Sequence, residues 1–154
     1  MLRGIGLVVG LALAASSFAA AATGPPRLPE KAAPDSVASF PCPKNPVSTV
    51  DVEACEGRAL LRLGHVFNER VSVLWSLLDA QARKDFRAAH DAWFSYREHE
   101  CAALARQAVG GTEAGVIFAQ CEVALTRARV TEVTAMLNAY CQGRARTGPY
   151  RKCP

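Results

Sequence analysis

The chain has 154 residues, half of them hydrophobic, and a formal net charge of +4. That length supports one domain with a modest core, and its single long apolar run is too short to span a bilayer. The charge excess is small and gathered at one end, so neither a nucleic-acid partner nor a membrane span is expected.

Arg3 opens the chain with a short positive region, Gly4 to Ala15 form an apolar run that Ser16 and Ser17 end, and Ala19 to Ala22 are small. Residues 1–22 therefore read as a secretory signal peptide cut after Ala20, Ala21 or Ala22. No Cys sits at the cut to take a lipid anchor, so an exported product, periplasmic or secreted, is expected. In the leader, residues 23–46, Pro25, Pro26, Pro29 and Pro34 deny a helix and leave an extended or disordered segment.

Six cysteines fit an oxidising compartment. None lies in a Cys-x-x-Cys or Cys-x-x-Cys-His arrangement, which removes redox-dithiol, zinc-ribbon and covalent haem readings. Many pairings are open in principle. Spacing favours local ones, Cys42 with Cys55, Cys101 with Cys121 and Cys141 with Cys153, each closing a short loop that contributes about 3 kcal/mol.

Residues 47–141 read as a helical domain. Ser48 or Thr49 can cap a first helix that starts near Val50, with Asp51 and Glu53 in its first turn. Leu60, Leu63, Phe67, Val71, Leu74 and Leu78 then form one apolar stripe interrupted by Gly64. Asp79 caps a second segment, in which Ala82, Phe86, Ala89, Trp93, Tyr96 or Arg97, and Leu104 keep the period to about Ala108. Gly110 and Gly111 break it, and Thr112 offers the next cap. Ile117, Cys121, Leu125, Ala128, Val133, Leu137 and Tyr140 carry a third segment to Gly143. No segment alternates as a strand does, so the expectation is an all-α antiparallel bundle of about three long helices, stapled by disulfides. Residues 142–154, with Arg144, Arg146, Arg151 and Lys152, form a basic tail closed by the last disulfide.

Within the second segment, Trp93, Arg97 and Cys101 recur every fourth residue and share one ridge. Trp93 and Arg97 can stack as a cation–π pair, while Cys101 ties the helix end to a neighbour. Core packing and stapling explain such a ridge without any ligand.

Cys42 followed by Glu53 and Cys55, then Phe67-Asn68, then Trp93, Tyr96-Arg97 and Cys101, and finally Gly110-Gly111-Thr112, Cys121, Thr126 and Arg129 stand in a fixed order. Over roughly Phe40 to Leu137 this pattern resembles the N-terminal domain of LprI-type lysozyme inhibitors, small exported bacterial proteins. The chain departs from it at Gly64, Val71 and His90, where the family commonly has Asp, Tyr and Gln. The resemblance implies a helical, disulfide-stapled fold and, for some members, inhibition of host-type lysozyme.

Two groups of residues follow from the pattern and the stripes together. Asn68, Trp93, Arg97, Thr126 and Arg129 are expected to form a structural polar and aromatic network among three helices, because buried polar groups need partners. Arg106, Gln107, Gly110, Gly111 and Thr112 form the candidate partner-binding tip, pinned at its base if Cys101 and Cys121 are joined. A lysozyme cleft lined by two carboxylates favours a cation or donor as its plug, and Arg106 is the nearest cation. The positive net charge gives no long-range steering toward basic animal lysozymes. The expected function is a monomeric, non-catalytic protein-binding domain without cofactor or metal.

An envelope adaptor or chaperone-like module is the alternative, favoured by an exposed apolar patch built from Phe94, Val116 and Phe118. A remote one is a secreted phospholipase A2-like hydrolase, since His90-Asp91 on a helix matches its base and calcium-holding Asp. The Gly-rich calcium loop and flanking Cys of such enzymes are missing here.

Overall fold

A computed structural model describes residues 24–28, 40–144 and 153. Three helices form: α1 (Thr49–Leu77), α2 (Ala80–Ala105) and α3 (Glu113–Arg144), with a single 3-10 turn at Arg106–Ala108 after α2. Residues 1–22, expected to be a signal peptide, Pro29 and Pro34 of the leader, and Arg146, Arg151 and Lys152 of the tail lie outside the described residues.

The starts of α1 and α2 each have a chemical cause. Ser48 accepts from the Asp51 amide at 3.1 Å, and Asp51 accepts in return from the Ser48 amide at 3.1 Å, a reciprocal pair that satisfies two orphan donors. These bonds to Ser48, with a further one from Val47, hold the Asp51 carboxyl below its ordinary range. Asp79 accepts from the Ala82 amide at 2.8 Å and so restarts the chain as α2, one residue after Leu78 leaves α1 in an extended conformation.

The chain runs up, down and up, so α1 and α3 lie parallel. Glu53, near the start of α1, borders Gly115, near the start of α3, closely enough that a Cβ at Gly115 would strike its carboxylate. Close backbone approaches join α3 to both other helices. Between α1 and α2 the large rings of Phe67, His90 and Trp93 intervene, with Phe67 and His90 stacked at 5.2 Å between centroids.

The core gathers Phe67, Val71, Leu74, Leu77 and Leu78 with Phe86, Val133 and Leu137. Full burial of each large apolar side chain contributes about 1.5–3 kcal/mol. Leu28 joins this cluster from the leader, 3% exposed, although nothing in a Pro-rich segment marks it as core.

The α1 stripe matches its expectation, with Leu63 half-buried. On α2 the buried face is Phe86, His90, Arg97 and Cys101, whereas Ala89 and Leu104 are exposed. On α3 Ala128 is exposed, and Glu122, Val123 and Thr126 are buried instead. The cause is position: α3 is covered on two sides, so its buried stripe is wider than a one-sided period predicts.

Three disulfides close the local loops. Cys42–Cys55, Cys101–Cys121 and Cys141–Cys153 have Cα separations of 4.7, 5.5 and 5.7 Å. The first holds the irregular segment before α1, the second joins the end of α2 to the start of α3, and the third joins α3 to the tail.

Candidate functional site

Arg97 organises the α2–α3 interface. Its guanidinium donates to Thr126 Oγ1 at 3.1 Å and pairs with Glu122 Oε1 at 3.1 Å. It also lies 4.8 Å from the Phe94 ring centroid and 5.5 Å from that of Trp93, so two rings and a carboxylate surround one cation. Burial pushes the Arg97 guanidinium down and the Glu122 carboxyl up from their ordinary ranges, while each charge holds the other's group ionised. Arg97 Nε has no partner.

Arg129 also lies near Trp93, 5.7 Å from its centroid and 5.9 Å from that of Phe86, and reaches Glu132 at 2.9 Å. Trp93, Arg97, Thr126 and Arg129 are thus brought together. Asn68 is not among them: its side-chain amide bonds the Leu28 backbone. Glu122 is the member that sequence reasoning missed, and its place four residues before Thr126 on one helical face was the available signal.

His90 is 3% exposed and packs on Phe67, with Trp93 and Phe94 beside it at 5.8 and 6.4 Å. Burial above all, then the charge of Arg129, pushes its pKa down to about 4, against the opposing pull of Asp91. The imidazole is therefore neutral at pH 7, and its Nδ1 has no hydrogen-bond partner. Among the described residues no group of three or more His, Cys, Asp or Glu stands where it could hold a metal ion.

The exposed tip is the second candidate. It runs from Arg106 through Thr112, and Gly111 N donates to Ala108 O at 3.0 Å to reverse the chain. Gly110 adopts φ +90°, which a residue with a Cβ rarely tolerates. Arg106, Gln107, Gly110, Gly111 and Thr112 are all exposed, and Val109 among them is 77% exposed. The Cys101–Cys121 disulfide closes the base, where Cys101 is fully buried.

The family model described as lysozyme inhibitor LprI matches residues 42–133, from the first disulfide to the core Val133 of α3. The chain belongs to the LprI lysozyme inhibitor family. No curated protein and no solved structure gave a match. In this LprI chain the matched span contains the Arg97 centre, the tip and two of the disulfides. No described helix is long and apolar enough to cross a membrane.

Proposed function

We propose that this LprI-family chain is an exported, non-catalytic protein-binding domain that inhibits a lysozyme through the tip from Arg106 to Thr112. Val109 carries the reading: an apolar side chain 77% exposed, at the apex of a turn whose base is closed by Cys101–Cys121. A pinned turn loses little conformational freedom on binding, and Arg106 and Gln107 offer donors to a cleft lined by carboxylates. Export is supported by the disulfides, which persist in oxidising compartments, and by the signal-peptide pattern of residues 1–22.

The adaptor alternative needs Phe94, Val116 and Phe118 as an exposed patch. All three are half-buried, and the Arg97 guanidinium covers Phe94. A hydrolase reading needs His90 to meet water and substrate, whereas its ring is packed against Phe67.

Peptidoglycan turnover by chicken-type, goose-type and bacterial lysozymes, measured with the oxidised protein in excess, tests the proposal. Dose-dependent inhibition of at least one class is expected, weakened about tenfold in the Cys101→Ser/Cys121→Ser variant as the tip loses its pinning. Undiminished turnover by all three classes overturns it.

A further inference from the structure

Gly24 to Leu28, upstream of the family match, lie along the bundle as an extended peptide lies in a receptor. Pro26 and Leu28 are buried, while Gly24 and Arg27 are exposed, the alternation of a docked strand. Asn68 Oδ1 accepts from Leu28 N at 2.9 Å, and Asn68 Nδ2 donates to Leu28 O at 3.3 Å, so one amide stands in for a neighbouring strand. The Arg87 guanidinium donates to Gly24 O. All three bonds go to main-chain atoms, so they hold any extended backbone. Selection comes from two positions: Leu28 enters the apolar cluster of Phe67, Val71 and Phe86, and Pro26 lies against α2. The prolines at 25 and 26 favour the extended form before binding, which lowers the ordering cost.

The segment fills its groove incompletely. A cleft of about 380 Å³ remains beside Pro26 and Arg27, lined by Arg87, His90, Asp91 and Phe94. The segment's described contacts are made by its own residues with α1 and α2.

We propose that the groove between α1 and α2, bounded by Asn68 and Arg87, is a recognition site for an extended Pro-x-Leu segment of a partner protein, occupied in the free chain by Gly24–Leu28. The tethered segment competes at an effective concentration on the order of millimolar. A partner's segment displaces it by making the same backbone bonds and filling the cleft beside Pro26. The proposal is independent of lysozyme binding at the tip.

The probe is a fluorescein-labelled, amidated peptide of residues 24–28, followed by fluorescence anisotropy with the full chain. It is added to the wild type, to Pro26→Gly/Leu28→Gly, whose own segment no longer competes, and to that variant with Asn68→Ala as well. Circular dichroism and intact disulfides establish that each is folded. Saturable binding to Pro26→Gly/Leu28→Gly, about tenfold tighter than to the wild type, is expected. It is lost with Asn68→Ala and with a probe in which Asp replaces Leu28. Absence of saturable binding to Pro26→Gly/Leu28→Gly, or binding unaffected by Asn68→Ala, overturns the proposal. Should that variant not fold, the Asn68 side-chain amide resonances of the wild type are followed with unlabelled peptide at millimolar concentration. Saturable shifts support the groove, and unmoved resonances overturn it.

Discussion

Arg97 and Glu122 meet across the α2–α3 interface at 3.1 Å, with 5% and 11% of their side chains exposed. A pair this buried costs much of its Coulombic gain in desolvation, so its removal as a unit differs from its breakage. Arg97→Met leaves the Glu122 carboxylate buried without its cation and is expected to lose about 3–5 kcal/mol of stability. Arg97→Met/Glu122→Leu, which removes both charges, is expected to recover most of that. Urea denaturation with the disulfides intact measures both.

His90 predicts the pH dependence. Its pKa falls from the ordinary 6.5 to about 4 in the folded chain, so the unfolded chain binds the proton more tightly. Stability is full above pH 6.5, declines as pH drops through that window, and levels off below pH 4. The loss is on the order of 3 kcal/mol. His90→Phe keeps a ring against Phe67 and removes the titration. Thermal unfolding from pH 7 to 4 is expected to show the decline in the wild type and a flatter profile in the variant.

Asn68 and Leu28 form one unit. Leu28→Ala removes the side chain that seats the segment and Asn68→Ala removes its backbone bonds; with a docked segment that competes about tenfold against a free peptide, each is expected to cost at most about 1.4 kcal/mol. Because the segment is held through both, the double variant is expected to lose less than the sum. Denaturant midpoints of the three variants give the coupling.

The two glycines of the tip differ. Gly110→Ala places a Cβ at φ +90°, a strain of roughly 1–2 kcal/mol that the turn relieves by changing shape. At Gly111 a new Cβ stands 3.4 Å from Ala108 O, an ordinary contact. Lysozyme inhibition is therefore expected to weaken with Gly110→Ala and to stay near wild type with Gly111→Ala, as dose–response curves of the two variants show.

Much of the fold was legible because its signals are local. Ser48 and Asp79 cap the helices they precede, and the cysteines pair in consecutive order along the chain. Trp93 and Arg97 also stack as their spacing implies. What sequence could not supply depends on how helices rotate against one another. Glu122 becomes the partner of Arg97 only once α3 turns that face to α2, and His90 becomes core only because Phe67 lies opposite. Leu28 has no periodicity around it, so its place in the core follows only from long-range contacts, the Asn68 amide and the apolar cluster it enters. The tip was legible from Gly110 and Gly111, but the exposure of Val109 was not.

The most direct measurement is amide chemical-shift mapping of the labelled protein titrated with an inhibited lysozyme. The largest perturbations are expected from Arg106 to Thr112, centred on Val109. Perturbations centred elsewhere on the bundle, with Arg106 to Thr112 unmoved, would contradict it.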